Sequence, residues 1–192
     1  WDGFIGPWTG TNDGDPVVIY DELEDRWVAT QFAVNTSNGT YWELIAVSET
    51  SDPTGAYYRY AFQYSTFNDY PKFSNWPDAY YATYNMFAGS YVGATIVAFE
   101  KDSMLVGGNA RMVEFGPYSS QYGTNTADFD GTTLPPAGSP QWVVNLRKYG
   151  SQALEVYKFQ VNWNNPSGST FQSWDDLSVT SFSFFDPNIR PQ

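Results

Sequence analysis

Along much of this chain apolar and polar residues alternate with a period of two, in short runs broken by Gly, Pro, Asn or Asp. The cleanest run sets Tyr157, Phe159, Val161 and Trp163 on one face and Lys158, Gln160 and Asn162 on the other. That is the pattern of a half-buried strand. Read in this way, the sequence predicts strands over 17–20, 26–34, 41–48 and 57–63, then over 71–74, 79–86, 91–99 and 111–115. A third group follows over 141–147, 154–163, 170–171 and 177–184. The 71–74 strand opens on Pro71, which suits a position where no ladder donor is needed. Strands of the first two groups are apolar on both faces, as expected of a sheet covered on both sides. Asn38-Gly39 is a strong hairpin signal. The glycosylation patterns Asn35-Thr36-Ser37 and Asn38-Gly39-Thr40 therefore read as a turn. Only 101–105 has helical character, and the polar stretch 116–139 reads as a long loop.

The groups echo one another. Asp25-Arg26-Trp27-Val28-Ala29-Thr30 returns 53 residues later as Asp78-Ala79-Tyr80-Tyr81-Ala82-Thr83, and 141–147 reads as a third, degenerate copy. The first two copies follow lead-ins with an acid beside a proline, Asp15-Pro16 and Asp69-Tyr70-Pro71. Self-similarity near this period in a strand-rich chain predicts an all-β architecture of stacked four-stranded units, a β-propeller first among them. The expected units cover about 12–65, about 66–116 and about 140–186, with a loop over 117–139. Three blades do not close a ring. The expectation therefore includes further blades, a partner chain or self-association. The start at Trp1 rather than Met suggests processing or a longer parent sequence, and 189–192 read as an interrupted lead-in.

Composition narrows the chemistry. Aromatic residues make up 19% of the 192 and charged residues only 16%, which suits sheet faces packed on sheet faces and argues against disorder. A net charge of −12 with 9 Lys+Arg repels phosphates, so no nucleic-acid partner is expected and anionic membrane surfaces are disfavoured. Divalent cations and neutral polymers suit this surface better. With no Cys and no His, disulfides, Cys/His zinc sites, Ser-His-Asp triads and Cys-His dyads are all excluded. There is no apolar run of the roughly 18 residues that a membrane-spanning helix needs.

The stretch Ser51-Asp52-Pro53-Thr54-Gly55-Ala56-Tyr57-Tyr58 resembles the Asp-box of sialidase-type propellers, S-x-D-x-G-x-T-W. It also resembles the Ser-x-x-Pro-x-Gly-Pro turn of five-bladed glycosidase propellers. It departs from the Asp-box by one residue inserted between Asp52 and Gly55, and by Tyr58 where Trp is usual. Three further passages resemble large secreted bacterial β-propeller proteins: residues 13–18, residues 69–72 with 76–81, and residues 161–166. The resemblance implies a propeller fold and an extracellular, secreted setting.

Two kinds of acidic site are expected. If 17–20 and 71–74 are innermost strands, Asp15 and Asp69 occupy matching positions at the channel mouth with Lys72 nearby. Two carboxylates roughly 5–9 Å apart are what glycoside hydrolysis requires. The resemblance to five-bladed glycosidases implies that Asp15, followed by Pro16, is the base. Against this, aspartate often caps its own turn. The third unit also offers Pro135-Pro136-Ala137-Gly138 at the matching place, with no acid. The second kind is calcium, for which Asn12, Asp13 and Asp15, or Asp128 and Asp130, supply closely spaced oxygens without full EF-hand spacing. Ordinary Asx-turns explain the same residues. Trp1, Trp8, Trp76 and Trp174 lie in loop-like contexts and are candidates to stack on sugars, with Trp8, Trp76 and Lys72 as the expected ligand-binding set. The expected function is an extracellular scaffold or binding module, stabilised by calcium, for a glycan or protein ligand. The alternatives are a piece of a glycoside hydrolase with Asp15 and Asp69 catalytic, and a structural subunit of an extracellular assembly.

Overall fold

The structure is a computed structural model, and it describes residues 1, 3–131, 133–147 and 153–180. Strands dominate, and they form three four-stranded antiparallel sheets, none of them closed. The first sheet runs β1 (Val17–Asp21), β2 (Arg26–Asn35), β3 (Thr40–Ser48) and β4 (Tyr57–Tyr64) in that spatial order. The second runs β5 (Phe67–Trp76), β6 (Ala79–Phe87), β7 (Tyr91–Phe99) and β8 (Met112–Tyr118). A single helical turn, α1 (Lys101–Met104), follows β7. The third sheet runs β9 (Asn125–Thr126), β10 (Gln141–Arg147), β11 (Ala153–Gln160) and β12 (Thr170–Ser178). Each sheet is thus a meander of sequence-adjacent strands.

The third sheet departs from expectation at both ends, and β11 stops at Gln160, so that Val161, Asn162 and Trp163 of the expected strand 154–163 lie beyond it. The stretch 116–139 is not all loop, because Asn125 and Thr126 pair with Val144 and Val143. Gln141–Arg147 is therefore the second strand of its sheet and not the first. A polar pair such as Asn-Thr shows no alternation, so only its partner identifies it as strand. The two short strands expected near the end are one continuous β12, mostly exposed on both faces. An edge strand with little to bury carries little alternation to read. Residues 181–184 of that expectation lie outside the described residues. Arg26, Ala79 and Gln141, at the echoed passages, open β2, β6 and β10, the second strand in each sheet.

The sheets stack face to face with the second in the middle. Every residue of β6 from Ala79 to Met86 is buried. Because side chains alternate across a strand, Tyr80, Ala82, Tyr84 and Met86 meet Val28, Ile45 and Val47 of the first sheet. On the other face Tyr81, with Ile96 and Ala98 of β7, meets Val143 and Phe159 of the third sheet. Aromatic rings fill both seams, tilted as for Phe62 on Phe99 at 4.7 Å, edge-on as for Tyr81 on Phe159 at 5.1 Å, or stacked as for Phe115 on Phe171 at 6.0 Å. The first strands neighbour one another, β1 against β5 and β5 against β9.

Candidate functional site

The ends of the first strands were the expected catalytic ground. Val17 lies opposite Thr30 and Lys72 opposite Thr83. Since Thr30 and Thr83 match in the echo, Pro16 corresponds to Pro71 and Asp15 to Tyr70. Asp69 thus corresponds to Gly14, and the two expected carboxylates are out of step by one residue. A bulge between Asp69 and Lys72 gives β5 its additional residue. The matched pair shares an uncommon backbone: Asp15 has φ +46° and Tyr70 φ +56°. Each precedes a proline, which already disfavours the right-handed helical region there. Left-handed backbone at a non-glycine residue costs about 1–3 kcal/mol.

The side chains around these ends mostly fasten the chain to itself. The Tyr70 N–H donates to Asp69 Oδ1 at 2.9 Å, and Lys72 Nζ lies 3.7 Å above the half-exposed Tyr70 ring. The Val34 N–H donates to Asp13 Oδ2 at 2.7 Å, and Gln31 Nε2 donates to Asn12 Oδ1 at 2.8 Å. These bonds tie the lead-in to β2. The Asn75 N–H donates to Asp128 Oδ1 at 2.7 Å, which ties the segment before β10 to β5. Asp130 sits near enough to Asp128 to push its carboxyl up, after burial as the main cause. Among the described residues no group of three or more acids has the geometry to share a metal ion.

Behind Asp15 lies a carboxylate that the sequence reading passed over. Glu43 sits on β3 with none of its surface exposed, and Asn68 Nδ2 donates to its Oε2 at 3.0 Å. Thr30 and Tyr84 also face it, with Tyr64 beside Tyr84. Glu43 Oε1, Thr30 Oγ1 and the Tyr64 and Tyr84 hydroxyls have no partner at good hydrogen-bonding geometry. Burial pushes the Glu43 carboxyl well above its ordinary range, against the pull of Thr30, Asn68 and Tyr84. A carboxyl whose folded pKa is raised adds stability that is complete below its unfolded pKa and fades as pH rises through the folded one. Glu43→Gln is therefore expected to raise stability at pH 8 relative to the parent. The gain should shrink as pH falls and vanish near pH ~4, amounting to about 1.4 kcal/mol per pH unit between the ordinary and raised pKa values. Thermal melts of both proteins from pH 4 to 8 test this, and parallel pH profiles would refute it.

A second buried pair spans the first two sheets. Lys101 Nζ and Asp21 Oδ2 lie 2.7 Å apart with both side chains at 0% exposure. Asp21 also accepts from the Tyr80 hydroxyl at 2.8 Å, from Asn75 Nδ2 at 2.7 Å, and from the Leu23 and Glu24 N–H groups. Lys101 donates further to Asn75 Oδ1 at 2.9 Å. The one sequence signal was a lysine between the apolar strand 91–99 and Met104. Fully bonded and away from solvent, the pair locks β1, β5, β6 and α1 together and offers no reactive atom.

Of the expected tryptophans, Trp76 is only 8% exposed and packs edge-on to Phe129 at 6.4 Å. Trp8 donates to the Phe4 carbonyl at 2.8 Å and rests edge-on against Trp42 at 5.0 Å. Trp174 is half exposed beside Trp142, with Lys158 over both rings. Trp1 donates to Gln31 Oε1 at 2.8 Å.

Trp1 also walls an open groove of about 630 Å³ on the outer face of the first sheet. Ala29 and Ala46, opposite each other on β2 and β3, form its floor. Tyr57 joins Trp1 as a wall, with Glu49 and Arg59 as polar groups and Gly55 and Ala56 in the lining. That lining belongs to the turn between β3 and β4. Thr54 donates to Asp52 Oδ1 through its N–H at 2.9 Å and its hydroxyl at 2.7 Å, which holds the Asp52 carboxyl below its ordinary range. The Tyr57 hydroxyl donates to the Pro53 carbonyl at 2.9 Å, and Trp27 Nε1 to the Ser51 carbonyl at 3.1 Å. The turn is thus a braced support for the Tyr57 ring.

No protein-family model, no curated protein and no solved structure matches this chain in comparisons with known proteins.

Proposed function

We propose that this chain is a stretch of an extracellular β-propeller that acts as a scaffold and glycan-binding module, with the groove on the first sheet as its binding surface. Three observations support the propeller reading: the sheets are successive four-stranded meanders, they stack face to face, and their first strands adjoin. The groove carries the functional reading. Trp1 and Tyr57 present rings to the C–H faces of a sugar, while Glu49 and Arg59 supply an acceptor and donors for hydroxyls. Arg59 also lies over the Phe4 ring at 5.5 Å. A net charge of −12 favours a neutral polysaccharide over a polyanion. The Asp-rich loops enter as clamps, since Asp13 and Asp128 each bond a backbone N–H. Hydrolysis is not part of the proposal, because Asp15 is matched by Tyr70 and not by a second acid.

Affinity electrophoresis against a panel of soluble neutral polysaccharides tests the reading. Tyr57→Ala is expected to weaken retardation about tenfold, the scale of one lost ring contact, and Tyr57→Phe to retain it. If no polysaccharide retards the protein, or Tyr57→Ala is retarded like the parent, the groove is not a glycan site.

A further inference from the structure

Between the β5–β6 turn and the segment 134–139 lies a cavity of about 450 Å³. Its walls are the Trp76 ring, Pro77, Leu134, Pro135 and Pro136, and among the described residues that line it Asp78 alone is charged. The covering segment has a defined shape. The Ser139 N–H donates to the Pro136 carbonyl at 2.9 Å, closing a turn that places Gly138 at φ +80°. Trp76 Nε1 points at the Ser139 carbonyl at 3.5 Å.

Asp78 is held from two sides. Its Oδ1 accepts from the Tyr81 hydroxyl at 3.2 Å, and its carbonyl accepts from Trp163 Nε1 at 2.8 Å. Burial raises the Asp78 carboxyl above its ordinary range, and the nearby Asp102 adds to this. Tyr81 and Lys101 act in the opposite direction, Lys101 while engaged with Asp21. A half-buried carboxylate at the edge of an aromatic and proline-lined space attracts a cation whose body is apolar, since the ring face and the carboxylate both favour positive charge. An anionic guest would meet Asp78 and a strongly acidic protein.

We propose that this cavity is a binding site for a small organic ammonium ion, with its apolar body against Trp76 and the prolines and its N–H groups on the Asp78 carboxylate. The site is separate from the groove on the first sheet and does not depend on it. The test is an NMR titration that follows the Trp76 and Trp163 indole N–H signals with benzylamine, benzyl alcohol and benzoate as probes. Benzylamine is expected to shift both signals to saturation, benzyl alcohol to bind at least about tenfold more weakly, and benzoate not to bind, because one charge-assisted hydrogen bond separates the first two. Asp78→Asn keeps an acceptor for Tyr81 and should reduce benzylamine affinity to that of benzyl alcohol. Ala137→Leu, which fills space in the covering segment, should abolish binding of both. Equal binding of benzylamine and benzyl alcohol overturns the proposal. So does unchanged affinity in Asp78→Asn or Ala137→Leu, or the absence of any shift at Trp76.

Discussion

Asp21→Asn is expected to destabilise the protein by about 3–5 kcal/mol, the scale for breaking a buried ion pair by removing one partner. The substitution leaves the Lys101 ammonium at zero exposure with only neutral acceptors, Asn75 Oδ1 at 2.9 Å and the Trp76 carbonyl at 3.4 Å. Lys101→Met should cost less. The carboxylate left behind would still accept from the Tyr80 hydroxyl, Asn75 Nδ2 and the Leu23 and Glu24 N–H groups, so its charge stays largely compensated. The double variant should be less damaging than the sum of the singles, because neither charge is then stranded. Urea unfolding of the three proteins measures the order. A Lys101→Met variant as unstable as Asp21→Asn, or losses below about 1 kcal/mol in both, would mean that the pair does not bind the sheets together.

Phe159→Ala should cost a similar amount, about 3–5 kcal/mol, for a different reason. Phe159 has no exposed surface and meets Tyr81 and Phe115 edge-on, each at 5.1 Å, with Phe171 at 6.2 Å. Tyr81 and Phe115 belong to the middle sheet, so the ring is a buried contact between the third sheet and the second. Its removal leaves a cavity that rigid strands on both sides cannot close. Loss of near-UV circular dichroism at lower urea than in the parent would report the loosening. A destabilisation under about 1 kcal/mol would show that the seam repacks.

Both predictions concern residues whose importance was unevenly visible from sequence. Phe159 stood out because Tyr157, Phe159, Val161 and Trp163 alternate cleanly, and all four pack into the second seam. Lys101 and Asp21 carried no such sign, since a charge in a sequence reads as surface until something buries it. Glu43 was hidden for the same reason inside an otherwise apolar strand. Trp76 is the reverse case: its turn-like neighbours Pro77 and Asp78 suggest exposure, yet the ring is inserted against Phe129 and also lines the cavity.

Most strand positions could be read from the chain alone because they rest on a local period of two residues, and the echoed passages each fell on the second strand of a sheet. Charge and composition also sufficed to exclude whole classes of chemistry. What lay beyond reach depends on contacts between residues far apart in sequence. The pairing of Asn125 and Thr126 with β10 turned a loop into the first strand of the third sheet. The bulge after Asp69 moved the register by one residue and made Tyr70, not Asp69, the counterpart of Asp15 in the echo. The groove and the cavity likewise form only when a braced turn or a proline segment meets a sheet. Local pattern sets which residues can be strand, but pairing and stacking set which side chains share a space.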